Sequence, residues 1–400
     1  MNRAVYLEKM LELQKNFSIK LITGFRGTGK TTLLKIFMDH LKFSGVSEEE
    51  IVFINFEETE SLSNFQQLYM YVNEKIENLD HAYLLFDEIQ LVAGWEKAVN
   101  AFFLGAPVEI YLTGSNENVL VNKIAPLLPD NFDIIRVSPL SFSEYAEISS
   151  KNVQVYENSD VANLAIFRDY LNFGGMPIVA EGTETKKIKE RLVAGLYYEA
   201  IFKDIIRVYS LRDSDVFNAI MQFLALNIGQ PIRPNAINDY LLESNRKTTS
   251  FTLENYLKLT DEIGLFKKIR RYDIKKDAFL NGAESFYCVD TGICNALLNF
   301  SRFDEMALMK NVIFTELWSR GYEIYCARLG KMTIDFLAVS ANEEIYIQVL
   351  ATDKKSSLGK LLRPLHKLPE SANKLLISLK PVKLKGSVKN ITITDFLLSK

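Results

Sequence analysis

The chain contains Gly24-Phe25-Arg26-Gly27-Thr28-Gly29-Lys30-Thr31, which has the G-x-x-x-x-G-K-[ST] spacing of a phosphate-binding loop. Such a loop works only between a strand and a helix, so it constrains the fold on both sides. Ser18 to Ile22 reads as the strand. Thr31 to Phe43 reads as an amphipathic helix with Leu33, Leu34, Phe37 and Leu41 on one face. Glycines let backbone N–H groups turn towards phosphate oxygens. The helix N-terminus adds the positive end of a dipole. In this reading Gly24 through Thr32 cradle ATP, Lys30 reaches the β- and γ-phosphates, and Thr31 binds Mg²⁺. A glycine turn that binds nothing is the plain alternative.

A second motif argues against that alternative. His81 to Glu88 is a continuous apolar strand ending in two acids, the Walker B pattern. Asp87 is expected to hold the Mg²⁺ shell and Glu88 to polarise the attacking water. A strand at Val108 to Leu112 runs into Thr113-Gly114-Ser115-Asn116. Asn116 or Ser115 there is placed to sense the γ-phosphate, with a helix N-cap as the competing reading. Further strands at Ile51 to Phe56 and Phe132 to Val137 complete about 140 residues of alternating strands and helices, the pattern of a parallel α/β sheet. A strand between the two Walker motifs, with Glu after the Walker B Asp, marks the ATP-hydrolysing branch of P-loop proteins.

With 400 residues, several domains are expected, and 48% hydrophobic residues can fill several cores. A net charge of −3 argues against a protein that coats DNA generally, while a local basic patch stays open. Three widely spaced cysteines and three histidines assemble no zinc site. The unpaired thiols suit a reducing compartment. No signal-peptide block or membrane-length apolar run is evident, so a cytoplasmic protein is expected.

After residue 137 the alternation stops. Pro139 to Tyr145 is a turn entering a helix, Phe173-Gly174-Gly175-Met176-Pro177 is a tight loop, and residues 186 to 209 read as a long helix. With these segments in view, the chain resembles bacterial and archaeal AAA-type ATP-binding proteins that carry a C-terminal domain of unknown function. The residues carrying the resemblance are the P-loop with Arg26, Asp87-Glu88-Ile89-Gln90 followed by Gly94-Trp95, and Thr113-Gly114-Ser115-Asn116. Further on they are Pro139 to Glu144, Phe173 to Pro177, Asp290-Thr291-Gly292 and Ile334-Asp335-Phe336. The family's Gly-Arg-Tyr before the fifth strand is replaced by Asp130-Asn131-Phe132. Arg136, Arg207 and Arg212 are candidates for an arginine finger, each with a surface ion pair as its ordinary explanation.

Residues 215 to about 290 read as a winged helix. Its helices lie at Asp215 to Leu226, Arg233 to Leu242 and Thr249 to Ile263, followed by two strands. The wing is basic, with Lys267, Lys268, Arg270, Arg271, Lys275 and Lys276, and basic wings contact DNA phosphates. The third helix carries Glu254, Asp261 and Glu262, which favours a protein-docking role. Residues 301 to 400 resemble a restriction-endonuclease domain of the PD-(D/E)XK kind. The resemblance places Glu316, Asp335 and Gln348 at its ligand positions. Leu350 stands at the lysine position, where an apolar side chain cannot activate water, and Lys354 or Lys355 are the nearest substitutes. A degenerate nuclease site is expected.

The fold expected is therefore α/β: an N-terminal P-loop NTPase parallel sheet (1–140), a helical lid or linker (141–212), a winged helix (213–300) and a C-terminal α/β restriction-endonuclease-like domain (301–400). The function expected is an AAA-type ATPase that uses ATP and Mg²⁺ as a nucleotide-driven switch on a DNA or protein partner, with no membrane association and an oligomer left open. The alternative is a nucleotide-gated DNA-binding protein with an inactive or weakly active metal-dependent nuclease domain.

Overall fold

The computed structural model describes residues 3–150, 159–182, 185–206, 211, 213–351 and 358–399. The chain divides into two compact units, the first over residues 1–138 and the second over almost all of the rest.

In the first unit, strands β1 (Ile19–Thr23), β2 (Ile51–Asn55), β3 (Ala82–Asp87), β4 (Val108–Gly114) and β5 (Phe132–Arg136) form a parallel sheet in the order β2-β3-β4-β1-β5. β1 and β3 are buried along their whole length, as strands covered on both faces must be. The covering helices are α1 (Ala4–Leu13), α2 (Lys30–Phe43), α3 (Phe65–Ile76), α4 (Trp95–Gly105) and α5 (Glu117–Ile124). On one face Met10 of α1 and Leu33, Leu34 and Phe37 of α2 pack with Ile22, Leu85, Tyr111 and Ile135 of the sheet. On the other, Leu68, Trp95, Phe102 and Leu120 pack with Leu21, Leu84, Phe86 and Leu112. Each such buried side chain stabilises the fold by about 1.5–3 kcal/mol. β4 lies between β1 and β3, so the carboxyl ends of these strands set Gly24, Ser115 and Asp87 along one edge of the sheet.

The second unit begins with helices Phe142–Ser150, Ser159–Phe173, Pro177–Ala180 and Lys186–Ala200. The expected long helix over 186 to 209 changes to a π-helix at Ile201–Ile206, and its last residues lie outside the described ones. Helices Ser214–Leu226, Pro234–Glu243 and Ser250–Glu262 then lead to strands β6 (Phe266–Asp273) and β7 (Ala278–Cys288), in the order the sequence suggests.

This hairpin does not stand alone. Among the described residues it belongs to a mixed seven-stranded sheet, β12-β11-β10-β9-β8-β6-β7. The other strands are β8 (Glu323–Leu329), β9 (Met332–Val339), β10 (Glu344–Leu350), β11 (Asn373–Ser378) and β12 (Lys389–Thr392). β6 pairs parallel with β8, Arg271 to Asp273 lying opposite Cys326 to Arg328, so strand pairing crosses residue 300.

A buried clasp ties two distant motifs of this unit. Asp290 caps the helix Thr291–Leu297, its carboxylate accepting from Ile293 N at 3.1 Å and from Gly175 N at 2.6 Å. A Cβ on Gly174 would lie 1.9 Å from the Asp290 Oδ1, so the Phe173-Gly174-Gly175 turn must be glycine there. Thr291 donates to Tyr170 O, and Asn295 to Leu171 O and Asn172 O, which satisfies carbonyls ending the helix Ser159–Phe173.

Candidate functional site

The loop from β1 to α2 is a cradle of backbone. Gly24, Gly27 and Gly29 have φ of +151°, +84° and +93°, conformations that side-chain-bearing residues rarely adopt. A Cβ on Gly24 would come 2.2 Å from Val137 O, so no other residue fits at the start of the loop. Thr28 folds the loop onto itself, its hydroxyl donating to Phe25 O at 2.9 Å. Phe25 is buried and Thr32 exposed.

Lys30 opens α2 with only 4% exposure, and its ammonium donates to Gly24 O at 3.0 Å and lies 3.6 Å from Glu88 Oε1. Thr31 donates to Asp87 Oδ2 at 2.7 Å, joining the first turn of α2 to the end of β3. The other oxygen of Asp87 accepts from the Thr113 hydroxyl at 2.6 Å, and that hydroxyl accepts from Glu88 N at 2.8 Å. Burial pushes the Asp87 carboxyl above its ordinary value, against the bonds from Thr113 and Thr31 that pull it down.

Glu88 has φ +56°, a left-handed conformation costing a non-glycine residue about 1–2 kcal/mol. The turn aims its carboxylate back at the loop. It accepts from Gln90 Nε2 at 2.6 Å and lies 3.7 Å from the Arg26 guanidinium. Arg26 also donates to Glu57 at 2.9 Å, just beyond β2. Sequence reasoning passed over Glu57, because nothing in a lone acid after a strand signals a loop arginine.

Asn116 is the N-cap of α5, its side-chain oxygen accepting from Val119 N at 3.1 Å, and both Ser115 and Asn116 are buried. Arg136 forms a paired hydrogen bond to Glu117, both distances 2.7 Å, an ion pair that accounts for its charge without an arginine-finger role. Arg207 and Arg212 lie outside the described residues.

The donor set suits a polyphosphate with a divalent cation. Two cations, Lys30 and Arg26, stand beside a hydroxyl and a carboxylate, Thr31 and Asp87, that are already joined.

The C-terminal candidates are arranged differently. Glu316 pairs at 2.7 Å with Arg320, the residue that caps the C-terminus of its helix, Glu305–Ser319. Asp335 on β9 accepts from Lys310 of the same helix at 2.6 Å and from Val349 N at 2.9 Å. Gln348 is buried and donates to Thr333 O. Among the described residues, no group of His, Cys, Asp and Glu comes together as a metal-holding cluster. Lys354 and Lys355 lie outside the described residues. On the hairpin, Lys267 pairs with Asp261 at 3.0 Å, Lys268 with Glu284 at 3.1 Å, and Arg270 lies over the Phe279 ring. Arg271, half-buried, sits on β6 at the seam with β8.

An AAA domain model matches residues 16–146, and a model of a domain of unknown function matches residues 164–304. The chain is 32% identical over 354 residues to an uncharacterised protein of Haemophilus influenzae, covering 87% of this chain and 86% of that protein. It is 26% identical over 345 residues to an uncharacterised protein of Methanocaldococcus jannaschii, covering 83% and 74% respectively. Among solved structures it is similar to a Walker-type ATPase of Pyrococcus abyssi, with a TM-score of 0.55 at 16% identity over 74% of this chain and 95% of that one.

Proposed function

The chain carries an AAA domain and belongs to the same family as its Haemophilus influenzae relative, and on that premise we propose that it binds and hydrolyses ATP as a nucleotide-driven switch. The observation that carries this reading is the bond from Thr31 to Asp87 beside a buried Lys30, within a loop that only glycine can build. In this reading the triphosphate takes the place of Gly24 O, Phe25 O and Glu88 as the partner of Lys30. Thr31 and Asp87 would hold Mg²⁺, which supplies charge neutralisation for the β- and γ-oxygens. Glu88, released from Lys30 and Arg26, accepts a proton from the water that attacks the γ-phosphorus as its bond to the bridging oxygen breaks. Ser115 or Asn116 reports the γ-phosphate, the cap on α5 giving Asn116 a direct link to that helix.

The partner of the switch is a protein or DNA. The ion pairs of Lys267 and Lys268 favour a protein partner, since those charges are already matched by Asp261 and Glu284. The test is steady-state ATP turnover with and without single- and double-stranded DNA, beside Lys30→Ala. Turnover and ATP binding lost in Lys30→Ala support the reading. Undiminished ATP affinity in that variant removes it. Stimulation by DNA that disappears on neutralising Arg270 and Arg271 assigns DNA as the partner.

A further inference from the structure

We infer that Arg3 is a positioning residue for the phosphate-binding loop, holding the Thr28 carbonyl so that the Gly29 N–H is turned into the cradle. The inference rests on the nucleotide-binding reading above. Arg3 sits just before α1, outside every motif in the sequence, yet it is 1% exposed. A guanidinium is always charged, and burying it is costly unless its N–H groups are bonded. Its Nη2 donates to Thr28 O at 2.5 Å and to Ser138 O at 2.8 Å. Its carbon lies 5.1 Å from the centre of the Tyr6 ring, and the Tyr6 hydroxyl accepts from Ser138 N at 3.0 Å.

The peptide joining Thr28 to Gly29 is planar and trans, so its carbonyl and its N–H point in opposite directions. Anchoring Thr28 O on one side therefore aims Gly29 N–H to the other. The loop needs such an anchor. Gly27 and Gly29, on either side of Thr28, have the freedom that lets a peptide plane turn over. A turned plane would present a carbonyl to the phosphates, where it repels. The hydroxyl and N–H of Thr28 are held by Phe25 O, and Arg3 holds the remaining group, the carbonyl. Arginine suits the place because its long stem carries Nη2, with two N–H groups on a charge that never titrates, to both backbone carbonyls.

The test is titration of the full chain, and of its Arg3→Ala and Arg3→Lys variants, with ATP, ADP and AMP, alongside thermal melting. The unmodified chain is expected to bind ATP. Arg3→Ala is expected to lose roughly tenfold or more in ATP affinity, as for a lost charge-assisted hydrogen bond, with smaller losses for ADP and AMP. Added guanidinium, below the concentration that unfolds the chain, is expected to restore ATP affinity to Arg3→Ala, whereas a general loss of structure would be worsened by it. Arg3→Lys, melting near the unmodified chain, is expected to bind ATP several-fold more weakly, which keeps the test intact should Arg3→Ala not fold. Equal ATP affinity in the folded variants, or a loss equal for ATP, ADP and AMP, overturns the inference. An unmodified chain that binds no ATP removes the nucleotide reading itself, and Arg3 with it.

Discussion

The Lys30 ammonium and the Glu88 carboxylate lie 3.6 Å apart, both nearly buried, so the loop's cation is matched by the acid that ends the Walker B strand. Arg26 faces the same carboxylate at 3.7 Å. Phosphate oxygens must displace Glu88 from both cations, so the acid competes with the ligand. Glu88→Gln removes the competing charge and the proton acceptor together. ATP affinity is expected to rise several-fold while turnover falls about a hundredfold or more. Calorimetric titration and single-turnover assays check the two signs separately. Unchanged turnover removes Glu88 from the reaction.

Gly24 abuts Val137 O so closely that even one carbon cannot enter. Gly24→Ala must move the end of β5 or distort the loop. It is expected to cost about 3 kcal/mol of stability and most ATP affinity. Chemical denaturation and nucleotide titration measure these, and an undisturbed variant would falsify the tight approach of the two strands' ends.

Burial pushes the Asp290 carboxyl up to about 6, and the backbone N–H groups of Gly175, Ile293 and Gly292 pull in the other direction. The folded state then holds its proton more tightly than an unfolded chain, where the value is about 3.9. The stability from this proton is present below pH ~4 and lost as pH rises towards ~6, a change of about 3 kcal/mol. Asp290→Asn cannot titrate, so its melting curve should lack that part of the pH slope. Melting temperatures of both forms across this range decide it, and superimposed slopes would mean that Asp290 titrates as an ordinary carboxylate.

Lys310 and Asp335 are joined at 2.6 Å beneath limited solvent exposure. Lys310→Met leaves the carboxylate with Val349 N as its remaining bond described above. A loss of about 2 kcal/mol is expected, largely recovered when Asp335→Asn is added. A double-mutant cycle on denaturation free energies measures the coupling. Mg²⁺-dependent DNA cleavage that vanishes in Asp335→Ala would instead make Asp335 a metal ligand.

What the sequence revealed was what local spacing encodes. The eight residues from Gly24 to Thr31 set the loop, and apolar runs ending in Asp87-Glu88 and Thr113-Gly114 set the strands beside it. Long-range partners were not legible. Nothing adjacent to Arg3 tells that its side chain reaches Thr28 and Ser138, and nothing near Arg26 names Glu57. The hairpin shows the same limit. The pattern of β6 and β7 specifies two paired strands, but the second neighbour of β6 lies some fifty residues later in β8. Asn116 could be read as cap or sensor because both roles use the same amide at the same place, and its bond to Val119 N is visible only in the fold.

The pairing of β6 with β8 bears on how this protein can be dissected. A fragment ending near residue 300 would leave β6 with an open edge of unsatisfied N–H and C=O groups, and the complementary fragment would expose the matching edge of β8. Open edges recruit other chains. Truncations at that point are thus expected to aggregate, and a loss of activity in them would report the broken sheet and not the role of the removed residues. Point substitutions in the intact chain are the sounder way to separate the contributions of its parts.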